Sequence, residues 1–381
     1  MEAALPDAVP DSHPTLHSAE VIPSLDGIRA LAVALVFTAH SGFQAIIPGG
    51  LGVTIFFVLS GYLITTIMRV EYTRRRTIGF RAFYLRRLLR LMPPLLIVVI
   101  AAALLSMTSV IGGAFTLGGL LSTLFYCGNY YIIAHDFRGL PAGLGVIWSL
   151  AIEEHYYFLY PPLAGLLLRA RRPGRSVLLL FSLCGAVVSW RFWLTLHGAS
   201  SDYLMMATDT RVDAILIGCA MAIGWNPRLD PVAPSNAPRD LAVAGACVVV
   251  LVGTLLYRDE AFRSTLRYTL QALAVAPLIY LAVARSDEIP FSWLNCRPIV
   301  YVGTISYTIY LVHDVILSGL AKHWPQLTWA WLMILGASLT IVVAETMRRW
   351  VDKPCARLRA QLHRRYLPTH GTAGAPSIAT P

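Results

Sequence analysis

Three groups of polar residues interrupt otherwise apolar stretches of this sequence, and each holds side chains that can bind or move a proton. The first runs Ser24-Leu25-Asp26-Gly27-Ile28-Arg29 and leads on to His40. Imidazole exchanges a proton near neutral pH, and a guanidinium holds anions through its fork of donors. Arg29 and His40 are eleven residues apart, which on an α-helix is about 1100°, or three turns plus ~20°, with roughly 16 Å between them along the axis. The two are expected on one helix face, lining one cavity. Asp26 stands three residues before Arg29 and can pair with it. The competing reading is an arginine snorkelling at a helix start and a histidine bonded within the core.

The second group is Trp148-Ser149-Leu150-Ala151-Ile152-Glu153-Glu154-His155. Adjacent helical residues point about 100° apart, so at most one of Glu153 and Glu154 is expected to face the same cavity as His40. An interfacial aromatic belt would explain Trp148 and Tyr156 but not two acids. In the third group Ser306, Tyr310, His313 and Asp314 fall at spacings that make one polar stripe on an apolar helix, with Tyr307 alongside. A hydrogen-bonding seam between helices is its rival reading. Lesser signals are Arg211 with Asp213, and the stretch holding Arg81, Arg86, Arg87 and Arg90. That stretch sets topology and is also suited to phosphate.

These groups stand out because of what surrounds them. Of 381 residues, 56% are hydrophobic and 14% charged, whereas a soluble domain carries about 25% charge. Ionisable residues inside a span cost at least ~2.5–3.5 kcal/mol each on insertion scales. A crossing needs roughly 20 apolar residues. Leu88–Met107, Ile147–Leu168, Ser176–Leu196, Leu241–Leu256, Tyr268–Ala284, Ile299–Leu320 and Trp329–Ala344 meet or approach that. Gly27–Gly42, Gly50–Met68, Gly118–Ile133 and Arg211–Gly224 are shorter or more polar candidates.

The net charge of +10 sits in three places: around Arg69–Arg90, at Arg169–Arg175, and after Arg348. Short basic loops face the cytoplasm, which argues against a nucleic-acid partner. An even number of crossings must then separate each pair of loops. Gly118–Ile133, the least apolar candidate, is taken as re-entrant rather than spanning. The expectation is an all-α, polytopic transmembrane helical bundle of about ten crossings plus that one re-entrant segment, in the inner (plasma) membrane, with both termini cytoplasmic. Residues 1–22 read as a disordered cytosolic leader without a signal h-region. Residues 23–355 form one membrane domain, and residues 356–381 a basic, then disordered, cytosolic tail. The six cysteines are scattered, so no disulfide framework and no metal site is expected. Neither a P-loop nor a GxGxxG or GxSxG motif is present.

In this order the groups resemble the acyltransferase-3 family of membrane-bound O-acyltransferases. Leu25-Asp26-Gly27-Ile28-Arg29 through His40 is similar to that family's basic-residue, ten-residue-gap, histidine motif. Phe56 to Ile64, Arg81 to Pro94, Trp148-Ser149-Leu150 with Glu153-Glu154, Arg211-Val212-Asp213 and Gly303 to His313 resemble further blocks. Val351-Asp352-Lys353-Pro354 resembles the closing Glu-x-Pro, with Asp352 in place of glutamate, and His155 stands where the family usually has glutamine. The chain ends at 381, which fits the stand-alone form without a fused hydrolase-like domain.

The resemblance implies transfer of an acyl group, commonly acetyl, from acyl-CoA to a hydroxyl, with no tightly bound cofactor. His40 is implied as general base, Glu153 as the carboxylate that orients it, and Arg29 as a holder of phosphate or acyl carbonyl. Arg81, Arg86, Arg87 and Arg90 would meet the nucleotide end of coenzyme A. Asp26, Trp148, Glu154, Arg211, Asp213, Ser306, Tyr307, Tyr310 and His313 would support the site or bind substrate. An envelope glycan is the first-ranked acceptor and a macrolide-type secondary-metabolite sugar the second. A transporter or proton relay would use the same buried residues, though no inverted repeat is visible.

Overall fold

The computed structural model describes residues 23–366. Among them the regular structure is helical, with no strand. The leader expected over 1–22, and the tail beyond Tyr366, lie outside the described residues.

The described residues open with α1 (Pro23–Thr38), which passes into a π-helical turn (Ala39–Phe43), then α2 (Gly49–Arg75) and α3 (Phe80–Met107). Two short helices follow, α4 (Leu117–Leu124) and α5 (Gly128–His135), then α6 (Ile147–Arg169), α7 (Pro173–Leu196), α8 (Ser201–Met206) and α9 (Thr208–Gly224). The rest is α10 (Ala237–Leu256), α11 (Glu260–Ser264), α12 (Arg267–Ala284), α13 (Arg297–Thr304), α14 (Ser306–His323), α15 (Trp329–Met347), a second π-helical turn (Arg348–Asp352) and α16 (Lys353–Tyr366).

Helix starts obey local rules. Side chains of Thr116, Ser200, Asn236, Asp259 and Thr328 each accept a hydrogen bond from a first-turn backbone N–H, which satisfies a donor the helix itself leaves orphaned.

Among the described residues six stretches are long and apolar enough to cross a membrane: α2, α3, α7, α10, α12 and Trp329–Gln361. The number is seven if α13 and α14, broken at Ile305, make one span. The protein is thus a multi-pass membrane protein, while the expected ten or so crossings are not reached by this measure. The reasons are local. Helix α1 has 16 residues and α9 has 17, and α6 carries Glu153, Glu154 and two internal prolines. Gly118–Ile133, expected as re-entrant and not among the ten, is broken into α4 and α5, of eight residues each. At 1.5 Å per residue each is about 12 Å long, far short of a bilayer core of about 30 Å.

The chain forms two compact units. The first comprises 23–36, 48–78 and 152–304; the second comprises 37–47, 79–151 and 305–366.

In the first unit, α2 and α9 approach backbone to backbone. A Cβ on Gly61 would strike the Ile215 carbonyl, and one on Gly218 would strike the Val58 carbonyl and the Tyr62 nitrogen. Small residues let helices pack this closely. The buried Asn226 accepts from Tyr62 Oη at 3.1 Å and donates to Thr66 Oγ1 at 2.7 Å. Beyond α9 the chain is tied down by Arg69, whose guanidinium forks onto Asp230 at 2.6 and 3.0 Å. Partial burial of Asp230 raises its pKa, but the bonds from Arg69 and from the Asn226 backbone outweigh this and hold the carboxyl below its ordinary value.

In the second unit, Leu95, Val98, Leu144, Leu311 and Met347 belong to one apolar core. Gly143, at φ 85°, lies against the backbone of Asp314 and Val315. Only glycine combines that left-handed conformation with so close an approach.

Candidate active site

Helix α1 ends at Thr38, and His40 is carried by the π-helical turn that follows, where Gly42 takes φ 104°. The 100° step that put Arg29 and His40 on one face therefore holds only as far as Thr38. Such π-turns are rare and cluster at functional positions. Here the turn leaves the His40 side chain exposed.

Within the second unit His40 meets the third sequence group. His40 Nδ1 lies 3.1 Å from His313 Nε2, and the ring centroids are 5.0 Å apart. His313 is fully buried, and its Nδ1 lies 2.7 Å from the carbonyl oxygen of Tyr310. Phe37 packs near the His313 ring at 6.3 Å. The half-buried Asp314 carboxylate interacts electrostatically with His40. One turn back on α14, Tyr310 Oη lies 2.6 Å from Ser149 Oγ and donates to the Val146 carbonyl at 3.1 Å. Ser306 is buried, Trp148 half-buried, and Tyr307 Oη donates to the Leu91 carbonyl at 2.8 Å. The polar stripe on α14 thus turns toward the segment around Val146 and Ser149 and toward the turn that holds His40.

The arginine-rich stretch forms the first turns of α3 in the same unit. Arg81 and Arg90 are exposed, and Arg86 and Arg87 half-buried. Arg87 lies over the Phe83 ring at 5.8 Å. Arg90 interacts with the Asp352 carboxylate, as do Arg348 and Arg359. The basic surface thus gains two arginines from the end of the chain. Among the described residues no group of three or more His, Cys, Asp or Glu could hold a metal ion.

The remaining sequence candidates fall in the first unit. Arg29 is ion-paired with Asp26 at 2.5 Å. The helix start that carries them is gripped by glycines, since Gly27 sits on the Leu294 carbonyl and Gly303 on the Asp26 carbonyl. Glu153 Oε2 accepts from Tyr157 Oη at 2.8 Å, and Tyr157 Oη lies 3.2 Å from Ser60 Oγ. Glu154 is half-buried, and His155 Nδ1 lies 2.7 Å from Thr208 Oγ1.

Arg211 is fully buried. It stacks 3.7 Å from the Tyr268 ring centroid and donates to the Met205 carbonyl at 3.0 Å. Asp213 pairs with Arg191 at 2.7 Å, and Thr269 hydrogen-bonds to both. Arg191 was absent from the sequence reading although its signal was present: an arginine inside the apolar run Ser176–Leu196. Pairing of His313 with His40, across 273 residues, had no such signal.

A protein family described as an acyltransferase domain matches residues 22–347. The chain belongs to this acyltransferase family. It is 32% identical over 363 residues to a peptidoglycan O-acetyltransferase of Listeria monocytogenes, covering 89% of this chain and 56% of that one. A putative peptidoglycan O-acetyltransferase of Bacillus subtilis is 32% identical over 368 residues, covering 90% of this chain and 56% of its own length. An O-acetyltransferase of Staphylococcus aureus is 29% identical over 357 residues, with 89% and 58% covered. The chain therefore spans a little over half the length of these curated relatives. No solved structure matches it.

Proposed function

We propose that this acyltransferase-family protein moves an acetyl group from acetyl-CoA to a hydroxyl of a cell-envelope glycan, peptidoglycan being the first acceptor to test. The reading is carried by one observation: an exposed histidine, His40, hydrogen-bonded to a fully buried one, His313. Family membership and the activities for which the relatives are named support the reaction class. A hydroxyl is a poor nucleophile at neutral pH and needs a base as it attacks a thioester; an imidazole supplies one. His40 takes the hydroxyl proton while the oxygen–carbon bond forms and the carbon–sulfur bond breaks, and the leaving thiolate receives that proton. Asp314 lies within electrostatic reach of His40. The forks of Arg81, Arg86, Arg87 and Arg90 suit the phosphates of the donor.

Arg29 and Glu153 stay assigned to catalysis by the sequence argument. Arg29 holds an oxyanion or phosphate with Asp26 as its counterion, and Glu153 acts through its bond to Tyr157. The substrate-supporting roles of Trp148, Glu154, Arg211, Asp213, Ser306, Tyr307 and Tyr310 are proposals of the same kind.

The test uses the purified full chain in lipid nanodiscs with radiolabelled acetyl-CoA and fragments of peptidoglycan. Label should pass to an alkali-labile ester on the glycan, and His40→Ala should lower turnover on the order of 10²–10⁴-fold, the range for loss of a general base. Wild-type turnover in His40→Ala would remove His40 from the chemistry.

A further inference from the structure

We propose that His313 is the positioning residue of the reaction: it fixes His40 in the tautomer that bears its proton on Nδ1, leaving Nε2 as the atom that takes the proton of the acceptor hydroxyl. This inference rests on the acyl-transfer reading above and adds to it which nitrogen reacts and what holds it.

The argument is one of donors and acceptors. A backbone carbonyl only accepts, so the nitrogen 2.7 Å from the Tyr310 carbonyl, His313 Nδ1, must carry hydrogen. His313 is fully buried, with Phe37, Leu311 and Val312 near it in the core of the same unit. A buried group in such surroundings is held without net charge unless a partner compensates it. A neutral ring with hydrogen on Nδ1 presents Nε2 as an acceptor. The 3.1 Å bond from that atom to His40 Nδ1 then requires His40 Nδ1 to be the donor. A neutral His40 protonated at Nδ1 has its lone pair on Nε2. The exposed side chain thus offers the basic atom outward, and the buried ring behind it sets which atom that is.

The same logic says what the pair is not. The chain of bonds ends on the Tyr310 carbonyl, which cannot pass a proton onward. His313 is therefore a brace and not a segment of a proton wire, which weighs against the transporter reading. During transfer the hydroxyl proton arrives at His40 Nε2, the bond from His40 Nδ1–H to His313 Nε2 persists, and the proton leaves from Nε2 to the thiolate. His313 keeps one proton throughout.

Two variants separate bracing from mere packing. In His313→Gln the amide carbonyl oxygen can stand about where Nε2 stood and still accept from His40 Nδ1. His313→Leu fills the space and accepts nothing. With acetyl-CoA and peptidoglycan fragments, His313→Leu should lose about 10²-fold or more in kcat, in line with the loss of an orienting partner, with KM for acetyl-CoA within about 3-fold of wild type. His313→Gln should recover most of that loss.

A second measurement does not depend on turnover. In the full chain labelled with 15N-histidine, two-bond 15N–1H correlations report each tautomer, and His40→Gln identifies the His40 signals. His40 should read as Nδ1–H in the wild type and in His313→Gln, and as a mixture in His313→Leu. A His40 that reads Nε2–H in the wild type, or a His313→Leu protein with wild-type kcat, would overturn the assignment. A wild type that reads Nδ1–H but acetylates nothing would uphold the brace and sink the proposed reaction instead.

Discussion

Arg191 and Asp213 are both wholly removed from solvent and meet at 2.7 Å, with Thr269 bonded to the same carboxylate oxygen at 2.5 Å. Taking one partner from a buried pair strands the other charge, and such losses run to about 3–5 kcal/mol. Asp213→Ala should therefore lower the thermal midpoint of the detergent-solubilised protein sharply. Replacing both residues by apolar ones, Arg191→Met with Asp213→Leu, should be milder than either single change. If the double variant melted at the sum of the single losses, the pair would be energetically independent and this account would fail.

The helix pair α2/α9 should respond differently. A methyl on Gly61 has nowhere to go except into the Ile215 carbonyl, and one on Gly218 meets the Val58 carbonyl. Each alanine should push the same two helices apart, and a repacked core typically loses about 1–3 kcal/mol. Because one displacement relieves both clashes, Gly61→Ala and Gly218→Ala together should cost less than their sum, by the coupling expected of neighbours. Additive losses in chemical denaturation would mean the two sites yield separately.

The membrane class, the polar clusters and the family were legible because they depend on composition, on local order and on short ordered blocks. Arg29 with Asp26 was legible for the same reason: the two are one helical turn apart. Apolar length alone did not fix the number of crossings, because hydropathy does not register helix breaks; Gly118–Ile133, expected as re-entrant, turns at Phe125–Cys127. The π-turn that starts at Ala39 and carries His40 is invisible to a fixed 100° period. Inside its own unit His40 is bonded to a second imidazole, that of His313. Nothing in residue spacing ties position 40 to position 313; tertiary packing alone does.

Asp230 gives a pH dependence whose sign can be worked out. Its carboxyl is held below the ordinary value of 3.8 in the fold, with the Arg69 fork as the stabilising cause. A depressed acid contributes stability that is complete above its unfolded pKa and fades as pH falls toward the folded one. Protection factors of the amides between α9 and α10, the exchange referred to its intrinsic rate at each pH, should therefore hold down to about pH 4 and fall below it. In Asp230→Asn the protection factors should already be low at pH 7 and nearly indifferent to further acidification. Equal acid sensitivity in the two proteins would place the titrating group elsewhere.

The arginines on α3 lend themselves to a test by subtraction from the donor. Arg81, Arg86, Arg87 and Arg90 follow one another on a single helix start, and Arg90 shares Asp352 with Arg348 and Arg359. A charge-assisted bond to phosphate contributes roughly 1.5–3 kcal/mol, so an alanine at an arginine that meets the donor should raise KM for acetyl-CoA by about 10- to 100-fold. Because that bond is the same in ground and transition state, kcat should change little. Acetyl-dephospho-CoA lacks the ribose 3′-phosphate. For the arginine bound to that phosphate, variant and wild type should show the same KM with the shortened donor; for an arginine on the pyrophosphate, the difference should survive. Raised salt should weaken the phosphate contribution in both cases, since these side chains are at least partly exposed. Four alanine variants with wild-type KM for acetyl-CoA would leave this basic surface a topology signal and move the donor site off α3.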